Sequence, residues 1–196
     1  SLTKQEITFA INSAIEHENG LDLMDERFPR LIRDLQKKGV CTWALSTSLT
    51  DTFKSIESVK DWTVNTLKGL NISFKESAPE VHYSHLIHPT KHAQPGLFYK
   101  GIAFTDGEHG LTKGEVLLLV LEQVSKKPAV IYMIDDKEKN LESVKMELAK
   151  HAPSIRFVGV LFTGTQTSTP KISKDEVLDY WMKHVDLTKR NKKKAP

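Results

Sequence analysis

Two adjacent aspartates follow an apolar run in the stretch AVIYMIDDKEKN, residues 129–140. The five residues before Asp135 and Asp136 are all apolar or aromatic, which is typical of a buried strand. Like charges at the end of such a strand repel each other unless a cation neutralises them. Mg²⁺ binds one or two carboxylates together with water and phosphate oxygens, and it would do so here. The alternative is that Asp136 caps the next helix while Asp135 faces solvent.

A lysine in the first turn of a predicted helix is the second chemical signal. Lys113 lies in the stretch TKGEVLLLVLEQ, where the helix dipole opposes a cation by roughly 0.3–1 kcal/mol. The position becomes favourable when the ammonium group and the helix N-terminal N–H groups share an anion, and phosphate suits both. The alternative is a lysine that reaches into solvent.

Hydroxyl side chains end the first predicted strand. Ser46, with Thr47 and Ser48, closes the stretch VCTWALSTS. Such hydroxyls commonly satisfy backbone groups only. In open α/β sheets, however, ligands bind at the carboxyl ends of the strands, so the hydroxyl, the lysine and the acidic pair would meet there. Together they are the side chains of a phosphoryl-transfer site.

Helix and strand signals alternate around these residues. Helices are predicted over 3–15, 28–35, 51–67, 112–124, 141–148 and 173–185, and strands over 40–48, 129–136 and 155–163. The apolar runs are continuous rather than alternating, which favours a parallel sheet covered on both faces. We predict an α/β fold, a three-layer Rossmann-like parallel sheet with a small helical and irregular cap. The cap is residues 71–110, where GLFYKGIAFT is a hairpin or an isolated strand.

The bulk composition fits one domain, predicted over residues 1–186, with a disordered basic tail over 187–196. The formal charge of +3 becomes −2 without the five basic residues of that tail, so the body is not a nucleic-acid-binding surface. The sequence contains no run of about 18 apolar residues, so no transmembrane segment is predicted. The single cysteine, Cys41, excludes an internal disulfide and is interpreted as a small core residue.

Three stretches, taken in order, resemble a known family. ALSTS, TKGEVLLLVLEQ and VIYMIDDKEKNLESV are similar to the second, third and fourth motifs of the haloacid dehalogenase-like (HAD-like) phosphohydrolase superfamily. The resemblance covers residues 27–163 and is greatest to an uncharacterised bacterial branch, which points to an exported protein.

The resemblance implies Mg²⁺-dependent hydrolysis of a phosphate monoester, with a phosphorylated small molecule or a phosphoprotein as partner. It implies that Ser46, with Thr47 beside it, binds the transferring phosphoryl group. Lys113 would neutralise that group and the nucleophile. Asp135 with Asp136 would hold Mg²⁺, so that Asp136 also belongs to the catalytic set.

The first motif of that family, which supplies the nucleophilic aspartate as D-x-D, is missing from the chain. Asp22 and Asp25 in LDLMDE stand three apart with no strand before them. Either an N-terminal segment of the gene product precedes this sequence, or the fold has diverged into a non-catalytic binding protein. In both cases the 196 residues alone should not complete an aspartyl-phosphate cycle.

Four histidines in VHYSHLIHPTKH form a separate cluster: His82, His85, His88 and His92. Histidine is a common zinc ligand, and the spacing of three could place ligands on one helix face. Pro89 interrupts the stretch, and it contains no acidic or cysteine partner. The alternatives are polar loop histidines or a cap loop that contacts substrate.

Overall fold

The computed structural model describes residues 23, 25–51, 57–88, 95–106 and 110–164. Nearly all of them belong to one compact unit, residues 25–165, and a second unit comprises residues 1–24 and 166–196. The helices predicted over 3–15 and 173–185 and the basic tail lie outside the described residues.

The described part alternates short strands with helices. The helices are α1 (Phe28–Lys37), α2 (Val59–Gly69), α3 (Lys113–Gln123) and α4 (Glu138–His151). The strands are β1 (Ala44–Ser46), β2 (His85–Leu86), β3 (Gly96–Tyr99), β4 (Ile102–Phe104), β5 (Val130–Asp135) and β6 (Arg156–Leu161). The prediction of an α/β protein is confirmed at this level.

The strands form two sheets. The larger has the order β1-β4-β3-β2, and the smaller pairs β5 with β6 in parallel. In the larger sheet β1 is parallel to β4, whereas β3 is antiparallel to both β4 and β2. The larger sheet is therefore mixed, and the prediction of a wholly parallel sheet was wrong for it. Residues 71–110 supply three of its four strands.

The hairpin between β3 and β4 explains the mixed sheet. Its two turn residues, Lys100 and Gly101, both have positive φ, 49° and 80°. Two-residue turns of this kind match the right-handed twist of the strands and reverse the chain directly. A side-chain carbon at Gly101 would also press on the backbone of Phe74, so glycine is required there.

Helix α3 is the central element of the core. Its predicted capping box is present, with Thr112 Oγ1 accepting from the N–H of Glu115 and the Glu115 carboxylate accepting from the N–H of Thr112. One set of its residues packs toward the larger sheet and another toward α4. The first set is Val116, Leu119 and Val120, and the second is Leu117 and Leu121. The prediction that this helix is largely buried is confirmed.

Two local predictions were wrong in detail. Helix α2 begins at Val59 rather than near residue 51, because Ser58 is extended and its hydroxyl caps the helix by accepting from the N–H of Asp61. Cys41 is exposed, because the strand starts only at Ala44 and Cys41 lies in the loop before it.

Candidate functional site

Lys113 and Asp135 form a buried ion pair. The ammonium nitrogen of Lys113, the first residue of α3, lies 2.6 Å from Oδ2 of Asp135, the last residue of β5. The two side chains are only 11% and 3% exposed. The anion next to Lys113 in this structure is the carboxylate of Asp135, whereas the phosphate expected beside this lysine stays a prediction.

The other oxygen of Asp135 accepts two further hydrogen bonds. Oδ1 lies 2.9 Å from the backbone nitrogen of Lys137 and 2.8 Å from Nδ2 of Asn140. Burial raises the pKa of Asp135, but the hydrogen bonds from Lys113, Asn140 and the Lys137 backbone together outweigh it. The pKa of Asp135 is therefore held below its ordinary value, and the group is a carboxylate at neutral pH.

Asp136 differs from its neighbour because it is exposed. No hydrogen bond or ion pair joins it to another described residue. Helix α4 begins at Glu138 after Lys137, with no side-chain cap. The alternative in which Asp136 caps the helix and Asp135 faces solvent was therefore wrong, because it is Asp135 that turns inward and binds the start of α4.

The binding of Mg²⁺ by Asp135 and Asp136 stays a prediction, and the acceptor positions of the two carboxylates bear on it. A carboxylate offers about four acceptor positions, and three of those on Asp135 are taken. No described residue occupies an acceptor position of the Asp136 carboxylate. Among residues 23–164 that the structure describes, no group of three His, Cys, Asp or Glu side chains is arranged around a metal position. One or two carboxylates with water and phosphate oxygens are, however, sufficient for Mg²⁺.

Two backbone N–H groups at the start of α3 are already bound. The N–H of Gly114 donates to Ser143 Oγ at 3.1 Å, and that of Glu115 donates to Thr112 Oγ1 at 3.3 Å. These two groups are therefore not available to an external anion. Lys113 itself is the group at this helix end that an incoming anion could recruit, in competition with Asp135.

Ser46 and Thr47 lie at the end of β1, beside the end of β4. The Ser46 hydroxyl accepts from the N–H of Ser48 at 3.1 Å, and its carbonyl accepts from the N–H of Thr105 at 2.9 Å. Thr47 is exposed. Among the described residues no hydrogen bond joins Ser46 to Lys113 or Asp135, so the structure pairs the lysine with the acid but does not bring the serine into direct contact with them.

The Thr105 side chain adds a polar atom at the same strand end. Its hydroxyl is fully buried, and no described residue provides it with a hydrogen-bond partner. An unsatisfied buried hydroxyl typically costs about 1–3 kcal/mol. The end of the larger sheet therefore holds two hydroxyl side chains, Ser46 and Thr105, and that of Thr105 has no hydrogen-bond partner among the described residues.

Side chains of β1 and β5 pack against the same part of the core. Leu45 of β1 and Ile131 and Met133 of β5 pack against one cluster of buried side chains from α3, α4 and the loop before β6. Yet β1 pairs only with β4, and β5 only with β6, within the described residues. Each of these two strands thus keeps one edge without a described partner.

The histidine cluster is spread along an extended segment. His85 begins β2, and both it and His82 are exposed, so a shared helix face does not form. His88 is partly buried, and His92 lies outside the described residues.

Sequence reasoning overlooked Asn140 and Ser143. Asn140 is buried and stands four residues before Val144 and eight before Leu148, on the apolar face of α4. A polar residue at an apolar position of a helix was the signal that could have identified it. Ser143 carried no such signal, because its role depends on how closely α3 approaches α4.

These features define a mixed α/β protein with a buried lysine–aspartate pair where a helix start meets a strand end. The chain belongs to the DUF2608 family, described as proteins of unknown function, whose model matches residues 2–191. It is similar to uncharacterized proteins of Rickettsia bellii and Rickettsia felis, with 24% identity over 173 and 174 residues. A protein of Rickettsia typhi, also described as uncharacterized, is 23% identical over 152 residues. No solved structure matches the chain.

The coverage of these alignments is uneven. The first two span 87% of this chain but 58% of each relative, and the third spans 76% and 50%. The chain thus matches little more than half of the length of these relatives. Within the described residues, no helix combines the length and the apolar character needed to cross a bilayer.

Proposed function

We propose that this chain forms part of a Mg²⁺-dependent phosphohydrolase of the HAD-like kind, which hydrolyses a phosphate monoester of a small molecule or a protein. The nucleophilic aspartate would come from a segment outside these 196 residues. The observation that carries the proposal is the buried contact between Lys113 and Asp135. A lysine held against a carboxylate at a strand end is oriented and charged, as a phosphoryl-binding lysine must be.

The finer fold proposal is a three-layer Rossmann-like domain. One more parallel strand, placed between β1 and β5, would pair with both free edges and join the two sheets. Support comes from the packing of both strands against one buried cluster. Unpaired edges at this depth are unfavourable because their N–H and C=O groups need partners. Such a strand would end beside Lys113, where its carboxylate could act as the nucleophile.

Each of the candidate residues of this chain would have a role that follows from its charge and position. The ammonium group of Lys113 would weaken its ion pair with Asp135 and neutralise the phosphoryl oxygens. The Ser46 hydroxyl, with Thr47 beside it, would donate to the same group. Asp136, with the remaining acceptor position of Asp135, would hold Mg²⁺, whose role would be to screen charge on the phosphoryl oxygens.

The first test is the mass and N-terminal sequence of the natural product that contains this chain. If an apolar strand ending in D-x-D precedes Ser1, we expect that product to hydrolyse p-nitrophenyl phosphate only with Mg²⁺. Asp136→Asn should lower the rate by about 10²–10³-fold, the usual cost of losing one electrostatic contribution. Because Asp136 is exposed, the variant should keep its stability within about 0.5 kcal/mol.

The matched control is Asp34→Asn, which removes an exposed carboxylate from α1. It should leave the rate unchanged. A natural product that carries the D-x-D strand and yet has no Mg²⁺-dependent hydrolysis would contradict the proposal, as would equal losses in both variants.

A non-catalytic HAD-like binding protein is the second candidate, and one observation favours it. Asp135 is satisfied by three donors of the chain itself, so the pair is stable without a metal or a nucleophile. If the natural product begins at Ser1, we expect no hydrolysis. It should still bind inorganic phosphate, and Lys113→Met should abolish that binding.

A further inference from the structure

A groove lies at the end of the larger sheet away from Ser46. It is lined by the last turns of α2, the following loop and the start of β4, and it has a volume of about 270 Å³. We call it the distal groove. Its lining includes Leu67, Lys68, Ile72, Phe74, Lys75 and Lys100. The register of β1 and β4 pairs Ala44 with Ile102 at this end, and Ser46 with Phe104 at the other.

The floor of the distal groove is apolar. Ile72 and Ile102 are almost fully buried, and Leu67 and Phe74 are partly buried beside them. The volume is slightly below the range of about 300–1,000 Å³ that is typical of sites for drug-sized ligands. The floor therefore suits a short apolar body rather than a large one.

The rim of the distal groove carries three exposed lysines, Lys68, Lys75 and Lys100. No ion pair joins Lys68 to a described residue. Lys75 lies 3.5 Å from Glu76, and both side chains are at least two-thirds exposed, so this pair holds the lysine weakly.

Lys100 is held more firmly than the other two. Its ammonium nitrogen lies 3.3 Å from Oδ1 of Asp61 and 4.7 Å from the centre of the Tyr99 ring. The Tyr99 hydroxyl donates to the same Asp61 oxygen at 2.7 Å. These contacts fix Lys100 at the rim, whereas Lys68, and Lys75 with its weak exposed ion pair, can turn toward a ligand.

We propose that the distal groove binds a small amphipathic anion, a short-chain carboxylate whose head lies between Lys68 and Lys75 and whose apolar body lies on Ile72, Phe74 and Ile102. Charge complementarity selects an anion, and the apolar floor distinguishes it from inorganic phosphate, which would gain nothing from that floor. The site is separate from Lys113 and Asp135, so this inference does not depend on the proposed enzymatic function.

The test is titration of the full chain with hexanoate, followed by amide chemical shifts in NMR spectra. We expect saturable shifts at residues 67–75 and 100–102, and much weaker ones with 1-hexanol, which has a similar body and no charge. The double variant Lys68→Gln/Lys75→Gln should lower the affinity for hexanoate by at least about tenfold, equivalent to 1.4 kcal/mol.

The control double variant is Lys37→Gln/Lys38→Gln, which removes two exposed lysines from the end of α1 and should leave the affinity unchanged. A second variant, Ser73→Phe, places a ring at the mouth of the groove and should block hexanoate with all lysines intact. The proposal is overturned if hexanoate causes no saturable shifts, if hexanol binds equally well, or if the control loses as much affinity as the test variant.

Discussion

Gly114 of α3 lies directly against Ser143 of α4. The Gly114 N–H donates to Ser143 Oγ at 3.1 Å, and a side-chain carbon at Gly114 would overlap the Ser143 carbonyl oxygen and lie 2.8 Å from Cγ of Glu147. The first turn of α3 therefore approaches α4 as closely as glycine allows. This close approach sets the position of Lys113, the neighbouring residue, above the end of β5.

Gly114→Ala should destabilise the protein by about 1–3 kcal/mol, because the new methyl group forces two packed helices apart. Urea unfolding followed by circular dichroism measures this change. Gly69→Ala is the matched control, since Gly69 is also helical and a side-chain carbon there meets nothing within 4 Å. The control should be neutral or up to about 1 kcal/mol more stable, because alanine is the better helix former. Equal effects of the two substitutions would contradict the close approach.

Lys113→Met should lower the free energy of unfolding by about 3–5 kcal/mol, because it leaves the Asp135 carboxylate buried without its cation. Lys145→Met is the control, since Lys145 and Glu142 form a pair of similar chemistry, at 3.2 Å, on the exposed surface. Exposed pairs contribute about 0–1 kcal/mol. A cost below about 1 kcal/mol for Lys113→Met would show that the buried pair is not formed in solution.

Asn140→Ala should cost about 1.5–3 kcal/mol, since it removes a hydrogen bond to a charged group. It should also raise the pKa of Asp135, because the lost hydrogen bond is one of those that lower it. Chemical denaturation measures the first effect, and an NMR titration of the Asp135 carboxyl carbon measures the second. Asn65→Ala, at an exposed position of α2, is the control and should change neither quantity. An unchanged Asp135 titration in Asn140→Ala would refute the role assigned to this amide.

Asp61 should make the stability depend on pH in the acid range. The Ser58 hydroxyl, then the Tyr99 hydroxyl, and finally Lys100 lower the pKa of Asp61 from 3.8 to about 2 against an opposing effect of burial. Because the folded pKa is below the unfolded one, the contribution is complete above about pH 4 and is lost as the pH falls toward 2. Solvent screening reduces its size, since the side chain is well exposed.

The measurement is the midpoint of urea unfolding between about pH 4 and pH 2 for the parent chain and for Asp61→Asn. The parent should lose more stability over this interval than the variant. Ser58→Ala should move the Asp61 titration upward, because it removes the largest of the favourable hydrogen bonds. A native Asp61 that titrates near 3.8 would disprove the assignment.

Local signals in the sequence were sufficient for several elements. The capping box at Thr112 and Glu115 was predicted and is present, because its partners stand three residues apart. The strand that ends in Asp135 was also predicted, since it depends on a short run of residues. The predicted HAD-like function, the Mg²⁺ and the roles of Ser46 and Thr47 stay predictions.

The contacts that only the tertiary structure decided join residues that are distant in the chain. The sequence by itself placed Lys113 at a helix start and two aspartates at a strand end. It did not determine that Asp135 turns inward to the lysine while Asp136 stays exposed. Twenty-two positions separate Lys113 from Asp135, and their contact depends on how α3 lies against α4 at Gly114. Helix caps and strand ends arise from neighbouring residues, whereas pairing, burial and register arise from packing between elements, and no local pattern encodes them.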